Sequence, residues 1–294
     1  MSDIEKTFGT AEQLAARQLI EMALSEDLSN RGDLTCRALI RSEQTGAINV
    51  VSRKQGVLAG LPIGRSVLST LDPQVEWKSF IADGDSVAPG TIIASVSGPL
   101  ATLLIGERTM LNFMTHLSGI ASLTRRFVEA VRGTRARILD TRKTLPGWRL
   151  LQKYAVRCGG GMNHRIGLYD GVLIKDNHLA AWAESGTIAD AVRVARAKSP
   201  PGVSIEVEVD TLIQLKDAIQ GEPDIILLDN MNPQQLVEAV AIRDQLAPKV
   251  QLEASGGVTI ETVGAIAKTG VERISVGGLT HSAPALDLGF DWLD

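Results

Sequence analysis

Cysteine is scarce in this chain. Only Cys36 and Cys158 occur in 294 residues, too few for a disulfide framework and consistent with a reducing compartment. Long apolar runs are also missing. None reaches the roughly 20 residues that a membrane-spanning helix needs, and the opening MSDIEKTFGT has no apolar signal core. We therefore expect a cytoplasmic protein with no membrane partner. Basic charge is not in excess: 30 Lys and Arg stand against 34 Asp and Glu, a net charge of −4, which argues against a nucleic-acid partner. The four histidines are His116, His164, His178 and His281, and no pair has zinc-ligand spacing. There is no serine-nucleophile elbow. What is left is an ordinary globular composition, 44% hydrophobic and 22% charged. The chain is long enough to bury a core without staples and to form one large or two medium domains.

One stretch departs from the acidic average. Residues 135–178 hold Arg135, Arg137, Arg142, Lys143, Arg149, Lys153, Arg157, Arg165 and Lys175 against Asp140, Asp170 and Asp176, a local charge of +6. Charges beside apolar strand residues are costly unless something negative pairs with them. A ligand carrying phosphate or carboxylate groups meets that need.

The chain in order suggests two domains. Thr10 with Gln13 reads as an N-cap pair for a helix carrying Leu14, Leu19, Met22 and Ala23 to about Asp27. Residues 29–33 read as a loop. Strands follow at 47–52, 56–60, 75–81 and 91–96, with a helix at 62–71. Residues 100–132 read as a long helix broken near Ser118-Gly119, then a second helix over 123–131. We expect an N-terminal α+β sandwich-like domain over 1–118, a second domain over 119–280, and a tail, 281–294, able to pack back on the first. From 135 onward strands at 137–140, 171–174, 203–209, 224–228, 250–254 and 272–276 alternate with helices near 148–158, 187–198, 211–220, 233–246 and 259–268. That alternation predicts a parallel sheet with right-handed crossovers, either open or closed into a barrel. No GxGxxG turn follows the first of these strands, against the dinucleotide-binding version.

Chemistry in barrels sits at the carboxyl ends of the strands. Here those ends read Asp140/Arg142/Lys143, Lys175, Glu208, Asp229, Ser255-Gly256-Gly257 and Gly277-Gly278. Arg142 and Arg165 suit carboxylates or phosphates in fork geometry. Lys143 and Lys175 suit a pyrophosphate leaving group as point charges. Glu208 and Asp229 suit Mg²⁺, although Asp229 could equally cap the next helix. Glu206 shares a strand face with Glu208. The glycine turns, the first before a helix starting near Thr259, suit a phosphate. His164, beside Arg165, is a candidate substrate contact, and His116 and His178 read as structural. Arg108 alone reads as a solvated helix charge or a local ion pair.

The runs TRKTLPG, YAVRCGGGMNHRIGLYDGVLIKDNH, IEVEVD, LLDN, EASGGV and SVGGLTHSAPALD resemble the quinolinate phosphoribosyltransferases, the carboxylating nicotinate-nucleotide pyrophosphorylases. The resemblance extends from GDLT at 32–35 to the C-terminus. It implies an incomplete or irregular α/β barrel after the N-terminal domain. It also implies transfer of a phosphoribosyl group from phosphoribosyl pyrophosphate to quinolinate with loss of CO₂, and Mg²⁺ as cofactor. Among substrate-binding positions it adds Thr141, with Arg108 reaching the site of a neighbouring subunit in a homodimer, and His281 near the ribose phosphate. It selects Glu208 over Glu206. Lys143, Lys175, Glu208 and Asp229 are the catalytic candidates it supports.

Three alternatives stand beside it. A molybdate-operon paralogue shares TRKT and RCGGG but departs from LIKDNH. A nicotinate phosphoribosyltransferase handles one carboxylate fewer and needs less cationic charge. The run Asp83 to Gly90 is similar to turns of lipoyl and biotinyl carriers, but lacks their modifiable lysine.

Overall fold

The computed structural model describes residues 7–293. In chain order its elements are α1 (Thr10–Leu28), α2 (Leu34–Leu39), β1 (Thr45–Ser52), β2 (Gly56–Val57), α3 (Leu61–Leu71), β3 (Glu76–Ser79), β4 (Ser86–Val87), β5 (Ile92–Pro99) and α4 (Leu100–Ala130). There follow β6 (Arg137–Leu139), α5 (Arg149–Gly159), β7 (Val172–Ile174), α6 (Asp176–Trp182), α7 (Ile188–Lys198), β8 (Ile205–Val209), α8 (Leu212–Ile219) and β9 (Ile225–Asp229). The chain continues with α9 (Pro233–Leu246), β10 (Gln251–Ser255), α10 (Val263–Lys268), β11 (Arg273–Ser275), α11 (Gly278–His281) and β12 (Leu288–Trp292). Two compact units interleave along the sequence. One takes residues up to Arg125, Thr144–Gly160 and the chain from Gly278; the other takes Arg126–Lys143 and Gly161–Gly277. Helix α5, read from the sequence with the second domain, packs with the first unit.

In the first unit the antiparallel sheet runs β12-β1-β5-β3. The tail returns to it as an edge strand, Ile48 opposite Trp292 and Ser52 opposite Leu288. Helix α1 buries Ala16, Leu19, Ile20 and Leu24, a single 3.6-period stripe, and leaves Leu14 and Met22 outside it and exposed. Its N-cap is Gly9, one residue before the Thr10 expected, and the Gly9 N–H donates to Glu12 Oε2 at 3.1 Å. The loop expected over 29–33 ends in a cap for α2, where the Asp33 carboxylate accepts from the N–H groups of Thr35 and Cys36. The turn at Asp83 is built the same way, and no carrier tip is needed to explain it. Asp83 accepts from the N–H groups of Gly60 and Leu61 at the start of α3 and from Tyr154 Oη at 2.6 Å.

The expected break at Ser118-Gly119 does not occur. Helix α4 is continuous, because both residues make close contacts that a larger side chain would spoil. Ser118 Oγ binds both the N–H and the carbonyl of Ala59, and a Cβ on Gly119 would collide with the Pro284 carbonyl oxygen. A small residue inside a helix here marks close approach of another backbone, as glycine allows.

The second unit is one parallel sheet in the order β6-β11-β10-β9-β8-β7. Chain order runs β7 to β11 across it, and the first strand, β6, lies against the last. That cyclic order is a barrel's. Strand β6 does not pair with β7, so the barrel is incomplete; the free side of β6 is bridged by Met162, whose N–H donates to the Ile138 carbonyl at 2.8 Å. Apart from Glu206 and Glu253, the strand interiors are mostly apolar and buried, as a helix-covered parallel sheet requires. Two helical details differ from expectation. A short helix, α6, follows Lys175 directly, with the Lys175 N–H donating to His178 Nδ1 at 2.9 Å. Helix α10 begins at Val263, not near Thr259.

Candidate active site

The carboxyl ends of the strands in the second unit surround a hollow of about 370 Å³. Its lining includes Thr141, Arg142 and Lys143 after β6, His164 and Arg165 from the turn before β7, Lys175 after β7, Glu208, Asp229, and Glu253 with Ser255. Nine of the residues singled out from the sequence thus meet in one place. Gly256 and Gly257 follow Ser255 with positive φ values of 93° and 57°. Gly277 follows β11 in the same unit; Arg108, Gly278 and His281 belong to the first unit.

The cationic wall has an architecture of its own. Asp140 closes β6 and is completely buried. Its two oxygens accept from Asn163 Nδ2 at 2.6 Å and from the His164 N–H at 2.8 Å. That pins the turn carrying His164 and Arg165 beside the loop carrying Arg142. Arg165 is further held by a bond from Nη1 to the Gly171 carbonyl, and its Nε is buried with no hydrogen-bond partner. Burial, and next the Arg142 guanidinium, hold Arg165 below its usual range. Two guanidiniums crowded in this way call for an anion between or beside them.

The opposite wall has the converse problem. Burial, then Asp229 against the pull of Lys175, holds Glu208 above the usual carboxylate range. Burial and Asp210 do the same to Asp229, against Lys143 and Lys175. Lys175 Nζ lies 3.6 Å from Glu208 Oε2. Asp229 is not a helix cap: Asn232 caps α9 by accepting from the Gln235 N–H. Gly256 is required for a packing reason as well as for its turn, since a Cβ there would strike Asn230.

Sequence reasoning named His164, passed over Glu206 in favour of Glu208, and missed Glu253 and Arg273. His164 Nε2 stands 3.0 Å from Glu206 Oε2 and 3.5 Å from Glu253 Oε1, and Arg273 Nε donates to Glu253 Oε2 at 2.7 Å. A glutamate in the middle of a buried apolar strand, as in IEVEV and QLEAS, was the available signal. The basic island is also less uniform than its charge suggested. Arg157 pairs with Glu12 at 2.8 Å, and Arg135 binds the Gly270 carbonyl and Glu272; only Arg142, Lys143, Arg165 and Lys175 line the hollow. A larger hollow, about 750 Å³, opens at the other ends of β8, β9 and β10. Its Asp224 is already satisfied by Arg196 and the Ile205 N–H.

Residues 120–291 match the domain family described as quinolinate phosphoribosyl transferase, C-terminal domain, and residues 33–118 match its N-terminal domain. The chain is 46% identical over 279 residues to a nicotinate-nucleotide pyrophosphorylase [carboxylating] of Mycobacterium leprae, covering 94% of this chain and 97% of that one. A probable enzyme of the same name from Bacillus subtilis is 43% identical, with coverages of 95% and 93%. The structure of the nicotinate-nucleotide pyrophosphorylase from Francisella tularensis superposes with a TM-score of 0.87 at 37% identity, covering 95% of this chain and 96% of that one.

Proposed function

The chain belongs to the quinolinate phosphoribosyltransferase family, and from that premise we propose that its hollow joins quinolinate to the ribose of phosphoribosyl pyrophosphate. The products are nicotinate mononucleotide, pyrophosphate and CO₂, a step of NAD biosynthesis. The observation that carries this reading is the separation of charge across the hollow, with two repelling guanidiniums on one side and two carboxylates of raised pKa on the other.

Arg142 and Arg165 take the quinolinate carboxylates, with Lys175 beside them. His164 supports Arg165 through its ring: Nδ1 accepts from the Arg165 N–H at 2.9 Å. Lys143 faces the leaving pyrophosphate, with Thr141 steadying its backbone by accepting from the Lys143 N–H at 3.0 Å. Departure of pyrophosphate leaves positive charge on the ribose, and the pyridine nitrogen attacks that carbon. No protein nucleophile is needed. Orientation of two anions and neutralisation of the leaving group supply the rate.

Glu208 and Asp229 fit Mg²⁺. They are an all-oxygen pair whose pKa values are raised by burial even with Lys143 and Lys175 nearby. Bound there, the ion would neutralise pyrophosphate charge; the two carboxylates also orient ribose hydroxyls. Ser255, Gly256, Gly257 and Gly277 hold the 5-phosphate. Because α10 starts late, that binding rests on backbone N–H groups of the left-handed glycine turn and not on a helix terminus. Gly257→Val accordingly raises the KM for phosphoribosyl pyrophosphate more than it lowers kcat, since an L side chain strains that φ. An unchanged KM would remove the glycine turn from the phosphate site.

The protein works in the cytoplasm as a homodimer in which Arg108 reaches the partner's hollow. Mixing inactive Arg108→Ala and Arg142→Ala chains then restores activity, because one site of each mixed dimer is complete; no recovery would place Arg108 in its own chain's site. The activity itself is tested by incubating the protein with quinolinate and phosphoribosyl pyrophosphate, with Mg²⁺ or with a chelator. Nicotinate mononucleotide forms only with Mg²⁺, and nicotinate does not replace quinolinate. Turnover of nicotinate in preference to quinolinate would overturn the reading.

A further inference from the structure

The buried floor of the hollow has a chemistry that the transfer step does not use. Glu253 lies in the middle of β10, wholly buried, yet it lines the hollow. Its Oε2 accepts from Arg273 Nε. Its Oε1 has no hydrogen-bond partner. Glu206, His164 and Glu253 offer ligand atoms within 4.8 Å of one another, a set that could suggest a metal. The ring of His164 argues against it. Nδ1 accepts the Arg165 N–H, so we assign the proton to Nε2, which gives it to Glu206 at 3.0 Å. A protonated Nε2 has no lone pair for a metal. Burial opposes charging the ring, but the bond to Glu206 and the charges of Glu253 and Glu206 outweigh it and shift the ring upward; a second proton would sit on Nδ1 at the expense of the Arg165 N–H bond, and Nε2 carries its proton in either state.

With Nε2–H committed to Glu206, nothing donates to Glu253 Oε1. A carboxyl in that position is neutral at little cost and ionised at great cost. Burial, and then the Glu206 carboxylate, push Glu253 upward, while His164 and Arg273 pull the other way without prevailing. Loss of CO₂ from the ring needs an acid of this kind.

We propose that Glu253 is the acid that protonates the pyridine carbon vacated by CO₂. The proposal rests on reading the hollow as a decarboxylating phosphoribosyltransferase site. Once the ring nitrogen has joined the ribose, the bond between C2 and its carboxylate breaks. CO₂ departs, and the electron pair remains on C2 beside the cationic nitrogen. The O–H bond of Glu253 breaks as the C2–H bond forms. Glu253 is left as a carboxylate with Arg273 at its other oxygen, and water returns the proton after product leaves. Protonation traps the decarboxylated ring before CO₂ recombines.

Glu253→Gln tests this, because the amide keeps an acceptor for Arg273 but has no acidic proton. In single turnovers with enzyme in excess, pyrophosphate release and CO₂ release are followed separately by rapid quench. The expected result is pyrophosphate release near the wild-type rate, CO₂ release slowed by about 10²-fold, and transient accumulation of the dicarboxylated mononucleotide. CO₂ release that keeps pace with pyrophosphate release in the variant overturns the proposal, as does equal slowing of both. If the variant does not fold, the wild type still decides. Its CO₂ step falls as pH rises through the titration of Glu253, whose surroundings are Glu206, His164 and Arg273, while pyrophosphate release does not follow; a CO₂ step indifferent to pH overturns the assignment. Failure of the underlying reading looks different: the wild type then releases no pyrophosphate from phosphoribosyl pyrophosphate and quinolinate at all, and the proposal falls with it.

Discussion

Arg142→Ala lowers kcat/KM for quinolinate by about 10³-fold, equivalent to about 4 kcal/mol of transition-state stabilisation. Truncation removes a forked donor from the wall where Arg165 already sits with a buried, unpartnered Nε. It also relieves Arg165 of a like-charged neighbour. The loss is read in kcat/KM for quinolinate. Arg142→Lys recovers only part of it, because an ammonium cannot grip a carboxylate at two points. A variant with near-normal turnover would remove Arg142 from the substrate and with it the main reason for crowding two guanidiniums.

Asp83→Ala has the largest expected effect on folding, a loss of about 4 kcal/mol in the stability of the first unit. One half-buried carboxylate receives the Tyr154 hydroxyl and two backbone N–H groups at the start of α3. Removing it leaves all three donors without that acceptor. Burial pushes Asp83 upward against these bonds, so Asp83→Asn, which keeps one acceptor oxygen and no charge, is the milder variant. Thermal melting checks both. A change of less than a couple of degrees in Asp83→Ala would mean that water replaces the carboxylate.

These two residues also mark what the sequence disclosed. Arg142 was legible because its strand is apolar up to the point where it ends in charge, and the same logic found Lys175, Glu208 and Asp229. Asp83 was visible only as part of a turn, since its partners lie 23 and 71 residues away. Long-range acceptors have no local pattern. Glu206 was placed on the face of Glu208 by alternation and passed over for it; Glu253 was hidden, because in a parallel strand buried on both faces the pattern does not tell which face holds the site. At Ser118-Gly119 a local propensity pointed the wrong way, because the glycine answers to Pro284 and not to the helix. In the basic island, charge counted along the chain mixed residues of α5, such as Arg157 paired with Glu12, with those at the strand ends.

The most direct measurement is a crystal structure of the protein soaked with quinolinate. The account predicts both carboxylates of the ligand within hydrogen-bond distance of Arg142 and Arg165, with the ring above Glu253 and the opposite wall left open towards Glu208 and Asp229. Ligand bound instead in the larger hollow beside Asp224 and Gln251, with Arg142 and Arg165 untouched, would contradict it.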